Sequence, residues 1–151
     1  MPNWTSITES AVKSAKNAAL LAEVRQQAVD AGCDDPLPEI IADTVATLRA
    51  LCSTGNQLDA DTTTIPSSIK GLALRMINRA LKDYIQMPLT DSEKESHTSD
   101  ESYRKRIVDN KIRFETPDNP AGSGEMQSAG GIDVANVEQP FASRENFNGL
   151  L

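Results

Sequence analysis

The chain has 151 residues and a net charge of −7, with 38% hydrophobic, 25% charged and only 4% aromatic residues. That size suits one domain with a lean core, and the acidic balance lacks the overall basic footprint of a free-standing nucleic-acid binder. No apolar run approaches the roughly 20 residues that cross a bilayer, and Met1–Ser6 lacks a basic-then-apolar leader pattern, so an acidic intracellular or assembled protein without membrane contact is expected.

Residues 7–16 can form a short helix capped by Thr8 or Ser6, with a thin apolar face of Ile7, Ala11, Val12 and Ala15. A stronger helix is predicted over 18–31. Leu20, Leu21, Val24, Ala28 and Ala31 form its stripe, and Gly32 supplies a left-handed stop. Asp34-Asp35-Pro36-Leu37-Pro38-Glu39 is a helix start, with an acidic cap and prolines in the first turn. The helix behind it runs to Cys52 and carries Ile40, Ile41, Val45, Leu48 and Leu51 on one stripe. Residues 58–65 read as a polar loop anchored by Leu58 and Ile65.

Pro66-Ser67-Ser68 opens the most regular helix, expected to end near Gln86 and to be the central one. Ile69, Leu72, Ala73, Met76, Ile77, Ala80, Leu81, Tyr84 and Ile85 recur at three and four residues along it. Thr90 and Asp91 can cap a last helix reaching about Arg113. Only Tyr103, Ile107, Val108 and Ile112 give it anything to bury, and residues 91–101 suit water on every side, so a frayed or interrupted start is expected. From Phe114 onward, prolines and glycines break any period. The fold expected is all-α: a bundle of four to five helices over 1–116 and a long, irregular C-terminal arm over 117–151.

Little in the chain points to catalysis. Cys33 and Cys52 read as small buried hydrophobes, and the lone His97 as a solvated residue of a helix surface. The acid pairs Asp34/Asp35 and Asp59/Asp61 lack the grammar of a calcium loop and suit turns and caps. No nucleophile motif, phosphate-cradling loop or metal-ligand spacing occurs, so no catalytic, metal or cofactor residues are assigned and no enzyme is expected. Charge is uneven: residues 66–113 hold ten Lys/Arg against seven acids, while 1–65 hold four against nine. The cluster Arg104-Lys105-Arg106 could touch nucleic acid or an acidic surface on a neighbouring copy. The second is favoured, because no aromatics interleave with it.

The order of these features resembles the head–tail connector (adaptor) proteins of tailed bacteriophages. The resemblance is carried by the proline-led helix with Pro36, Ile40, Ile41 and Arg49, then Leu58-Asp59-Ala60-Asp61 and Ile65-Pro66. It continues through Leu72, Arg79, Ala80 and Leu81, the Leu89-Thr90 restart, Arg104-Lys105-Arg106-Ile107 and the Pro117-Asp118 break, covering roughly residues 4–120. It implies a ring of identical copies, usually twelve, in the virion neck, assembled in the host cytoplasm. Such a ring joins the portal to a stopper or tail-completion protein, and DNA passes through it without sequence-specific binding. On that reading Trp4, Ile132, Val134, Phe141, Phe147, Leu150 and Leu151 are candidate partner contacts. Arg104, Lys105 and Arg106 are candidates for ion pairs between subunits. For Trp4 the alternative is a staple over the first helix, and for Phe141 and Phe147 a fold-back onto the chain's own bundle. The rival function is a small helical DNA-binding protein resembling a terminase small subunit.

Overall fold

The computed structural model describes residues 1–122, whose compact unit spans Met1–Pro120. It is a small helical bundle of α1 (Glu9–Val12), α2 (Ala18–Asp30), α3 (Leu37–Cys52), α4 (Lys70–Tyr84) and α5 (Asp91–Val108). Two short strands, β1 (Trp4–Ser6) and β2 (Thr64–Pro66), pair antiparallel with Trp4 opposite Pro66 and Ser6 opposite Thr64. They were not foreseen as strands, because each is three residues long and the partners lie about sixty positions apart.

The first helix is shorter than expected. Thr8 caps α1 by accepting from the Ala11 N–H, but the chain then enters a π-helical turn over Lys13–Asn17. Lys16 takes a φ of 64°, uncommon for a residue with a side chain. The break turns Asn17 inward, where its side-chain oxygen accepts a hydrogen bond from the Asn78 amide on α4. A straight helix would carry Asn17 elsewhere on the α1 face.

α2, α4 and α5 end through one device. At Gly32 the backbone turns left-handed, and the N–H groups of Gly32 and Cys33 reach back to the carbonyls of Val29 and Ala28. Gln86 and Asn110 close α4 and α5 in the same way with φ of 54° and 56°. The Asn110 stop ends α5 at Val108, short of the expected Arg113. Gly55, at a φ of 98°, lies so close to the Asn110 side chain that a Cβ there would sit 2.6 Å from its oxygen.

Leu21, Val24, Leu48, Cys52, Ile65, Ile69, Ile77, Leu81 and Ile107 form the centre of the core. Each large member contributes about 1.5–3 kcal/mol by leaving water. α4 is central, as expected, and packs on α3 and α2, while α5 lies along α3. On α3 the buried line differs from the expected stripe. Ile40, Ile41 and Leu51 are only half-buried, and Leu37, Thr44, Val45, Leu48, Arg49 and Cys52 face inward.

α5 is continuous from its first residue, against the expected interruption. A capping box holds its start: the Glu93 N–H donates to the Thr90 hydroxyl, and the Thr90 N–H donates to the Glu93 carboxylate. Lys82 on α4 pairs with the same carboxylate at 2.6 Å, which holds the Glu93 carboxyl below its usual range. Thr90→Ala should lower stability by about 1 kcal/mol, read as a shift of the urea midpoint at unchanged m-value.

Pro117 is buried, and Asp118 and Asn119 bond back onto the domain. The domain therefore closes at Pro120, so 117–120 belong to it and not to the expected arm.

Candidate functional site

Arg49 projects from the last turn of α3 and is only 9% exposed. Its guanidinium donates to three loop carbonyls: Asp59 at 2.6 Å, Thr64 at 2.7 Å and Asp61 at 3.0 Å. Its carbon centre lies 5.5 Å from the centroid of the Trp4 ring. Carbonyl oxygens and an aromatic face thus hold a buried cation, a use suited to the planar fork of arginine.

Asp59 and Asp61 shape the loop that Arg49 reads. The Asp59 carboxylate accepts from the Asp61 N–H and the Asn119 N–H, both at 2.9 Å. That of Asp61 accepts from the Thr63 hydroxyl at 2.7 Å and the Thr63 N–H at 2.9 Å, and these bonds hold its carboxyl below the usual range. Asp35 accepts from the Leu37 N–H at the start of α3 and from Arg25. Asp35, Asp59 and Asp61 thus hold the turn and cap positions expected from sequence.

The same cluster clasps the two ends of the domain. Asp118 accepts from the N–H groups of Asn3 and Trp4, at 3.2 and 2.9 Å, and the Trp4 indole N–H donates to the Glu115 carbonyl at 3.0 Å. Trp4 is 3% exposed. It is therefore not the exposed partner contact expected from sequence, because its ring is spent on Arg49 and its N–H on the 115–120 segment. Ile132, Val134, Phe141, Phe147, Leu150 and Leu151 lie outside the described residues.

A second polar cluster ties α4 to α5. Asp100, 4% exposed, receives Arg75 at 2.7 Å and Arg79 at 2.8 Å. Burial raises the Asp100 carboxyl, but hydrogen bonds from Arg75 and then Arg79 outweigh it and leave the group below its usual range. The groove above, of about 350 Å³, is lined by both arginines, Asn17, Asn78 and Glu93 among others. Both guanidiniums bond Asp100, so this groove joins α4 to α5, with Arg75 half exposed at its edge.

His97 is less solvated than expected. Its Nε2 lies 3.4 Å from Glu101, while its Nδ1 is buried without a partner among the described residues. Cys33 is exposed, against expectation, whereas Cys52 is fully buried and its thiol is pushed up to about 12 by that burial. Among the described residues no three His, Cys, Asp or Glu side chains gather as a metal site, and no helix is long and apolar enough to cross a membrane.

What remains for recognition is the surface charge. Arg104, Lys105 and Arg106 form no ion pair among the described residues. The helix divides them: Arg104 and Lys105 line a shallow groove with Leu51, Glu101 and Val108, and Arg106 falls on another side of α5. Glu23, Asp30, Asp34, Glu39 and Asp43 on and around α2 and α3 are exposed and also without ion pairs among the described residues. Arg49, Asp100, Asn17 and Thr44 are buried polar residues that sequence reasoning did not place inside. A usable signal existed for one: Arg49 sits between Leu48 and Cys52, four positions after Val45, on the apolar line of its helix.

No family model matches the chain, and neither the curated proteins nor the solved structures yield a match.

Proposed function

We propose that this chain is a structural protein of the bacteriophage neck, forming a ring that joins the portal to the stopper or tail and continues the DNA channel. The observation that carries the reading is where its resemblance residues fall. Arg49, the Leu58-Asp59-Ala60-Asp61 loop, Ile65-Pro66 and Pro117-Asp118 are scattered over nearly seventy positions, yet they meet in one clasp around Trp4. That this part of the pattern converges on one set of hydrogen bonds supports reading it as a single structural unit.

Physical features of the chain suit such a part. A lean core with unpaired surface charge gains stability from neighbouring copies, since whatever binds only the folded state stabilises it. The acidic balance suits a conduit, because a repulsive wall lets a duplex slide without sticking. The described unit ends at Pro120, and we assign residues 121–151 to contact with a partner. That contact would be multiplied by the number of copies in a ring.

The test is the mass by sedimentation of the chain alone and mixed with its cognate portal. A stoichiometric ring on the portal is expected. A small oligomer that ignores the portal and retards duplex DNA in a salt-dependent way would replace this reading with the terminase-like one. Deleting 121–151 should leave the helical circular dichroism and urea midpoint of the domain unchanged while weakening portal binding. Unfolding of the whole domain on that deletion would sink the idea of the segment as an arm.

A further inference from the structure

Two of the large apolar side chains left exposed lie in opposite charge environments. Val29, at the end of α2, is 69% exposed, and Val108, at the end of α5, is 44% exposed. Val29 stands beside Asp30 and close before Asp34, both exposed. Val108 lines a shallow groove of about 340 Å³ with Leu51, Arg104, Lys105 and Glu101. Arg104 and Lys105 outnumber Glu101 there, which leaves the groove rim net positive.

These two places lie toward opposite ends of α3. The ion pair between Arg25 and Asp35 ties α2 to the short loop that opens α3 at Leu37, while Leu51 is in its last turn. At 1.5 Å per residue the two patches are separated by about 20 Å along that helix. An acidic apolar knob at one end and a basic apolar groove at the other form a head-to-tail pair, which generates a ring when its rotation closes and a filament when it does not.

We infer that Val29 of one copy, flanked by Asp30 and Asp34, docks into the Leu51–Val108 groove of the next, where Arg104 and Lys105 meet the carboxylates. A second copy is the occupant because it presents the complement of this groove in both respects, an exposed aliphatic side chain and, within five positions of it, two exposed carboxylates without ion pairs among the described residues. The contact deepens the connector reading and rests on it for its biological setting. It gives Arg104 and Lys105 their partners and leaves Arg106 out.

The native thiols make the contact testable in the full chain. Cys33 is exposed and close to Val29, whereas Cys52 is buried with its thiol held protonated. Val108→Cys places a second reactive thiol in the groove, and a short bis-maleimide is then added to the chain alone and on the portal. A ladder of covalent dimers, trimers and larger species is expected, and Cys33→Ser in the same background should abolish it. Arg104→Glu with Lys105→Glu should reduce the linked fraction at least about tenfold, and Asp30→Lys with Asp34→Lys added to them should restore it. Lys105→Cys is a second exposed position that should give the same ladder if Val108→Cys perturbs the fold.

No ladder from either variant, alone or on the portal, overturns the contact. A dimer that survives Cys33→Ser does so too, because it reports groove meeting groove. The two ideas fail separately: a ladder without portal binding removes the connector reading and keeps the contact, and portal binding without a ladder does the reverse.

Discussion

Arg49→Ala is expected to destabilise the domain by about 3–5 kcal/mol, a large share of what a domain of this size possesses. Three carbonyls lose a charged donor at once, and the Trp4 ring loses the cation over its face. Arg49→Lys should recover only part of this, because an ammonium lacks the planar fork that spans the Asp59, Asp61 and Thr64 carbonyls. Trp4 is the only tryptophan, so its fluorescence reports the clasp directly. The expected result is a lower urea midpoint with a red-shifted emission from Trp4. An unchanged midpoint together with unchanged emission would show that the clasp does not depend on Arg49.

The second large effect belongs to Asp100. Asp100→Asn should cost about 2–4 kcal/mol, because Arg79, with its side chain only 14% exposed, loses its counter-charge in a partly dry setting. Arg75 adds little to that figure, since its side chain is half exposed and water screens it. The pH dependence has a definite sign. The folded-state pKa of Asp100 is depressed, so its contribution is complete above the unfolded value of about 3.9 and is lost as pH falls through the lower folded value. Wild type should therefore lose stability below about pH 4, and Asp100→Asn should show a flatter profile there. Glu9, Asp35, Asp61 and Glu93 are also lowered, but their effects are common to both chains and cancel in the difference. Parallel profiles for the two chains would mean that Asp100 does not couple to folding.

The helices were legible because their signals are local. The three- and four-residue recurrence in α4, the Pro36-led start of α3, the Thr90 cap and the Gly32 stop all act within a turn or two, and each was found close to its expected place. The departures share a different cause. Residues 91–101 look fit for water on every side, yet Asp100 is buried, because a carboxylate can be placed inside when two arginines from another helix meet it. Nothing within α5 announces those partners. The same holds for Lys16, whose left-handed backbone serves a bond between Asn17 and Asn78, sixty-one positions apart.

The candidate surface divides along the same line. That Arg104, Lys105 and Arg106 carry unpaired charge is readable from the chain, but only helix geometry and the approach of Leu51 separate the first two from the third. Trp4 stood out as the sole large aromatic near the start, and sequence could not decide between a partner contact and an internal staple. Its neighbours decide it: Arg49 is forty-five positions on and Glu115 and Asp118 more than a hundred. The sequence by itself determined the helical class, the order of the helices and the caps that start and stop them, because backbone hydrogen bonds and side-chain periodicity act over a few residues. Only the tertiary structure decided which polar groups go inside, where the domain closes and which exposed residues share a face, because each depends on contacts between chain segments far apart in sequence.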